Sequence, residues 1–240
     1  MATYVMSDLH GQYDLFVDML TKISFSKTDN IYILGDVIDR GPDGCMLLSH
    51  IIQEENIHML LGNHEAMMLE CLSSSFPNFI EFANSPELQL WMQNGGRTTL
   101  DDFLLYTHNY QTQVLSWLRS LPLVIPDLMV EGRKYYLVHA HHGLKWHEKE
   151  MVLSNLTEEE ARCLLWNRDY EKLLFPNKMP QNTTVIFGHT PVYCFKPSRE
   201  RKIWRTESGN YINVDCGCAH PTMPVLGCLR LDDMKEFYVS

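Results

Sequence analysis

Apolar residues fall along the chain in short runs separated by longer amphipathic stretches. "TYVM" (3–6), "NIYIL" (30–34) and "IHMLL" (57–61) are compact apolar runs of strand length. Between them, "QYDLFVDMLTKI" sets Leu15, Phe16, Met19, Leu20 and Ile23 at helical spacing. "PDGCMLLSHIIQEE", with Pro42 near its first turn, and "HEAMMLECL" read as two further helices. The order β-α-β-α-β-α predicts a mostly parallel sheet covered by helices. Residues from about 73 to 122 have a different texture, helical and turn-rich, with Trp91, Trp117 and "NGG" at 94–96. They are expected to form a helical insertion in one domain spanning 1–240. "LVIPDLMV" and "KYYLV", joined by Glu131-Gly132, predict a β-hairpin. Thr157 and Glu160 stand at capping-box spacing and open a helix over "TEEEARCLL". From Thr183 onward the pattern is strand-rich: "TTVIF", "KIWR", "NYINV", "VLGCLRL", "EFYV".

Composition narrows the class. Of 240 residues, 45% are apolar and 21% charged, ample for a globular core. A net charge of −10 argues against nucleic acid or a membrane surface as partner, because both favour a basic face. The seven cysteines are odd in number and form no C-x-x-C pair, which reads as free thiols in a reducing compartment, the cytoplasm. "MATYVMSDLHG" has no basic n-region and does not read as a signal peptide, and no run reaches eighteen apolar residues.

The chemistry lies at the ends of the predicted strands. "TYVM" is followed by Ser7-Asp8-Leu9-His10-Gly11, and "IYIL" by Gly35-Asp36-Val37-Ile38-Asp39-Arg40-Gly41. "IHMLL" runs into Gly62-Asn63-His64-Glu65, "KYYLV" into His139-Ala140-His141-His142-Gly143, and "TTVIF" into Gly188-His189-Thr190. Carboxyl ends of strands in an open α/β sheet form the ligand crevice, so all five point to one place. Carboxylate and amide oxygens with imidazole nitrogens suit Mn, Fe or Zn. The candidates outnumber the ligands one ion needs, and an Asp can bridge two.

In order and type, these motifs resemble the calcineurin-like metallophosphoesterases, in particular the PPP-type serine/threonine phosphatase branch in its bacterial and phage forms. The matching segments are D-x-H-G, G-D-x-x-D-R-G, G-N-H-E, a strand-end His and G-H-T, spanning residues 8 to 190. The resemblance implies an α/β sandwich of central mixed β-sheets flanked by helices, with two divalent ions, Mn or alternatively Fe or Zn, at the strand ends. It implies that Asp8, His10 and Asp36 hold one ion, and that Asp36, Asn63, His139 and His189 hold the other. His64 would be the proton donor, Asp39 its orienting partner, and Arg40 and Arg168 the phosphate clamps. The implied reaction is direct in-line hydrolysis of a phosphomonoester by a hydroxide bridging the two ions. Ser7 stands where the family usually has Gly, and His141 competes with His139 for the ligand position.

Plainer readings exist for the residues taken singly. Asp8 could be a helix N-cap. His189 could be structural, and Arg168 a surface ion-pair partner. Glu65 reads as a helix-start residue. Arg97 could line the pocket or be structural, and Asp215 reads as a strand end. Cys216 and Cys218 read as small core residues, and His50, His58, His108, His147 and His220 as ordinary. For function, a phosphoprotein or phosphopeptide phosphatase comes first, and a diadenosine tetraphosphatase-like nucleotide hydrolase is the alternative. A catalytically dead binding module is disfavoured because every ligand and His64 are in place. A DNA phosphodiesterase is disfavoured by the charge and by Asp39-Arg40.

Overall fold

Short apolar runs become strands here because both of their faces are covered. The computed structural model describes residues 1–73, 78–142, 146–169, 182–195 and 200–240. Strands β1 (Thr3–Met6), β2 (Asn30–Ile33) and β3 (Ile57–Met59) alternate with helices α1 (Tyr13–Lys22), α2 (Gly44–Gln53) and α3 (Asn63–Ser73). Four helices follow: α4 (Phe79–Ala83), α5 (Pro86–Gln93), α6 (Arg97–Phe103) and α7 (His108–Ser120). The rest comprises β4 (Pro122–Val130), β5 (Arg133–Val138), β6 (Met151–Val152), α8 (Glu158–Trp166), β7 (Thr183–Phe187), β8 (Trp204–Arg205), β9 (Tyr211–Asn213), β10 (Leu226–Arg230) and β11 (Lys235–Val239).

These strands make two mixed sheets, ordered β11-β10-β1-β2-β3 and β6-β4-β5-β7-β9-β8. β1, β2 and β3 are parallel, and so are β5, β7 and β9. The single mostly parallel sheet expected from the first third is therefore only one side, ending at the edge strand β3, of one of two sheets. β10 closes its other side antiparallel to β1. The hairpin β4–β5 forms as its pattern predicts, with a register shift between Ile125 and Leu128. Pro126 sits at that shift, where it cannot donate to the ladder. Helix α8 carries the full capping box at Thr157 and Glu160. Pro42 lies just outside α2, whose N-cap is Asp43.

Alternation along each strand divides the core in two. Val5, Leu34, Leu137, Ile186 and Ile212 meet in a cluster shared by both sheets. Tyr4, Met6, Ile31, Ile33, Tyr136, Val138, Val185 and Phe187 face the other way, into the cluster that the helices cover with Phe16, Met19, Leu47, Met68 and Leu118. A strand buried on both faces must be apolar throughout, which is why these segments lack a polar alternation. No helix among the described residues is long and apolar enough to cross a membrane.

Candidate metal centre

Parallel strands of both sheets deliver their carboxyl ends to one crevice. The backbone turns sharply there: Asp8, His10, Asp36, Asp39, Arg40 and His189 have φ of 57°, 45°, 53°, 71°, 67° and 68°. They are six of the ten described non-glycine residues with positive φ, a conformation Asp and His tolerate better than most. Strain gathered in one place marks a functional site. Gly62 permits a close approach, since a Cβ there would lie 2.3 Å from both the amide nitrogen and Oδ1 of Asp36.

Two clusters result, with Asp36 in both. His10, Asp36 and His64 form one, and Asp36, His139 and His189 the other, each with its ligand atoms within 4.8 Å of one another. Oδ2 of Asp36 lies 3.8 Å from His10 Nε2, 3.9 Å from His64 Nε2 and 3.5 Å from His139 Nε2. Asn63 Oδ1 is 2.9 Å from His139 Nε2, which is 3.1 Å from His189 Nδ1. Asp8 stands at the edge of the first cluster, its Oδ1 4.0 Å from His10 Nε2. Its Oδ2 accepts from the backbone of His189 at 2.9 Å and from the Ser7 hydroxyl. The serine that departs from the family pattern thus braces the carboxylate beside it.

The donor set fits divalent metal ions. His10 Nδ1 lies 3.0 Å from the carbonyl of Ile38, and His139 Nδ1 2.6 Å from that of Leu34. Each bond fixes the ring proton on Nδ1 and aims the Nε2 lone pair into the site. Burial holds all four imidazoles, His10, His64, His139 and His189, below their ordinary range, so they are neutral and able to ligate. Burial, then the charges of Asp8 and Glu65, pushes Asp36 well above the usual carboxylate range. A bound cation would reverse that push. Lone pairs of Asn63 Oδ1 and His139 Nε2 that face each other at 2.9 Å are likewise satisfied by a cation. Asp8, His10 and Asp36 would hold one ion, and Asp36, Asn63, His139 and His189 the other.

Beside these clusters stands a buried imidazole–carboxylate pair, His64 and Asp39. His64 Nδ1 donates to Asp39 Oδ2 at 2.6 Å, and that oxygen also accepts from Trp91 Nε1 at 2.9 Å. Burial pushes Asp39 up to about 7. Arg40 spans the mouth of the site, with Nη1 2.9 Å from His10 Nε2 and Nη2 3.0 Å from His64 Nε2. Arg168 Nη1 donates to Thr190 Oγ1 at 2.6 Å and to the His189 carbonyl at 3.3 Å, which anchors its guanidinium at the rim. Arg168→Ala is expected to raise KM for a small phosphate ester roughly tenfold, as the loss of a charge-assisted bond does. Steady-state kinetics with wild-type KM would remove Arg168 from the site.

The structure brings all ten predicted site residues together. His139 enters the cluster, whereas the ring of its competitor His141 packs on His142, centroids 4.2 Å apart. Arg97 is an exposed residue paired with Asp101 at 2.6 Å and does not line the pocket. Glu65 does more than start a helix. Fully buried, its carboxylate accepts from the backbone amides of Asp36, Val37, Ile38 and Gly62 at 2.8–3.2 Å, holding the loop that carries Asp36. A glutamate on the Met-rich face of α3, among Met67, Met68 and Leu69, was the available signal. Asp215, read as a strand end, is buried in the crevice wall beside His10 and Arg40. Trp91 and Thr99 come from the 73–122 region to bond Asp39, and nothing local in the sequence marks them.

Comparison with known proteins agrees with this geometry. The chain is 29% identical over 181 residues to the symmetrical bis(5'-nucleosyl)-tetraphosphatase of Wigglesworthia glossinidia brevipalpis, covering 72% of this chain and 56% of that protein. It thus spans little more than half the length of that relative. Among solved structures, a putative diadenosine tetraphosphatase superposes with a TM-score of 0.61 at 18% identity, over 99% of this chain and 92% of the other. The cold-active protein-tyrosine phosphatase of a psychrophilic Shewanella superposes at 0.54 with 15% identity, over 100% and 80%. Both likenesses establish the fold alone. Residues 1–215, which include all ten candidate site residues, match the calcineurin-like phosphoesterases, and the chain belongs to that family.

Proposed function

We propose that the protein is a metal-dependent hydrolase whose preferred substrate is a dinucleoside polyphosphate cleaved at its phosphoric anhydride bridge. The observation that carries this reading is the similarity to a symmetrical tetraphosphatase over 72% of the chain, with the whole candidate site inside the family match. The sequence alone put a phosphoprotein first. That order changes because the protein phosphatase likeness extends only to the fold, at 15% identity. Two divalent ions, Mn in this proposal, would supply an activated water and offset charge on the phosphoryl oxygens when bound. Arg40 and Arg168 grip non-bridging oxygens with forks that match phosphate geometry. In its imidazolium form, with the second proton taken up from solvent as the anionic substrate enters, His64 gives a proton from Nε2 to the departing oxygen, and Asp39 stabilises that cation and keeps the ring turned for the transfer. Glu65 and Gly62 hold the Asp36 loop so that both clusters share one carboxylate.

The test strips the protein with chelator, restores Mn²⁺, and compares initial rates on three substrates. These are diadenosine tetraphosphate, a phosphothreonine peptide and a simple aryl phosphodiester. The expected ranking puts the dinucleotide first, with hydrolysis lost again on chelation. Faster metal-dependent release from the peptide would move the function to a protein phosphatase.

A further inference from the structure

A small cleft opens directly off the metal centre. It has a volume of about 110 Å³, and its wall includes His10, Arg40, Tyr193, Asp215, Gly217 and His220. Behind Tyr193 lies Arg201, its guanidinium carbon 4.6 Å from the centroid of the tyrosine ring. Nη1 of Arg201 is buried and has no hydrogen-bond partner among the described residues. Buried donors almost always find an acceptor, so an orphan beside a functional cleft calls for an explanation. Arg201 also has no ion-pair partner among the described residues.

Gly217 ties this arginine to the cleft. Its φ of +86° suits glycine, and a Cβ there would lie 2.7 Å from the Tyr193 ring and 2.9 Å from Arg201 Nη1. The chain thus keeps a bare backbone where ring and guanidinium approach the cleft wall. His220 also stands edge-on to Tyr193, with centroids 5.9 Å apart. Its Nδ1 accepts from the amides of Thr222 at 3.4 Å and Met223 at 3.2 Å. That assigns the ring proton to Nε2, which becomes a donor. The one carboxylate in the wall, Asp215, has Oδ1 engaged by the amide of Gly217 at 2.9 Å. Arg40 already belongs to the phosphate clamp, so the row of donors continues from the reacting phosphate into the cleft.

We infer that Arg201, Tyr193 and His220 form a second phosphate subsite, which takes the phosphates beyond the scissile one in a polyphosphate chain. The inference rests on the dinucleoside polyphosphate reading and deepens it. Arg201 supplies the charge-assisted donor, Tyr193 holds the guanidinium in place, and His220 adds a neutral donor. A lone monoester phosphate fills the metal centre and leaves this subsite unused.

The experiment uses the Mn²⁺-loaded protein with an aryl phosphate monoester as reporter substrate, at fixed free Mn²⁺. Inorganic orthophosphate and inorganic tripolyphosphate are titrated as competitors. Arg201→Ala is expected to weaken tripolyphosphate inhibition roughly tenfold, the worth of one hydrogen bond to a charged group. Orthophosphate inhibition and reporter turnover should stay within about twofold, and Arg201→Lys should recover part of the loss because it keeps the charge. If the alanine variant does not fold, Arg201→Gln takes its place. Equal inhibition constants for tripolyphosphate in wild type and variant would overturn the subsite, as would an equal loss for both competitors. Wild-type turnover of diadenosine tetraphosphate is scored separately. Its absence would sink the functional reading, while the tripolyphosphate comparison would still decide the subsite.

Discussion

His64→Asn is expected to lower kcat on an alkyl phosphate ester, whose leaving oxygen is strongly basic, by roughly 10²–10⁴, the range that a positioned general acid contributes. Both metal equivalents should remain on the protein. Asn keeps a polar contact toward Asp39 but has no proton to give at the far end of a ring. The distinction matters because the geometry also admits a rival role, since His64 forms one cluster with His10 and Asp36. Its Nε2 is 3.9 Å from Asp36 Oδ2, while its Nδ1 is committed to Asp39 at 2.6 Å. Elemental analysis of the variant separates the roles, for loss of one metal equivalent would make His64 a ligand. Leaving-group dependence is a second readout. A general acid matters most when the leaving oxygen is strongly basic. The loss should therefore be large for an alkyl phosphate and small for a nitrophenyl phosphate or a phosphoric anhydride. A uniform loss across the three would contradict proton donation.

The candidate metal ligands are visible in the chain because ligand chemistry forces a pattern. A ligand at the end of a buried strand is a polar residue that interrupts an apolar run beside a glycine, as at Gly35-Asp36 and Gly188-His189. The supporting residues had no such mark. Thr99 and Trp91 reach Asp39 from 60 and 52 residues away. Glu65 finds its amide partners on a loop up to 29 residues earlier. Those partnerships exist only once the helices have docked, so no local spacing encodes them. The strands of the second sheet were legible as runs, β8 and β9 lying within "KIWR" and "NYINV", but their order in the sheet was not, because β5, β7 and β9 pair across long stretches of chain. His220 was read as ordinary because its position in the cleft wall depends on the turn that binds its Nδ1.

Asp36→Asn should give the largest change in metal binding, and its effect on the metal-free protein should have the opposite sign. The substitution keeps an acceptor for the His64 amide, which Oδ1 now binds at 3.0 Å. It replaces the oxygen that faces His10, His64 and His139 with an amide group that cannot ligate. Outer-shell changes cost metal affinity about 10–100-fold, and a ligand common to both clusters should cost more than the upper figure. In the metal-free protein the carboxylate is a liability. Burial raises its folded pKa well above the ordinary value. A raised folded pKa means a contribution present at low pH and lost as pH rises through that pKa. Metal-free wild type should therefore weaken toward neutral pH in a way the Asn variant does not. Glu65 and Asp39, both pushed up to about 7, are common to the two proteins, so the difference isolates position 36. Thermal melts at pH 7.5 in chelator should place Asp36→Asn at or above wild type, with the gap closing as pH falls. Added Mn²⁺ should then invert the order, because a ligand at 100 times its Kd stabilises by about 2.7 kcal/mol and only wild type binds it well. Two full equivalents of metal on the variant, at wild-type affinity, would show that Asp36 does not bridge the clusters.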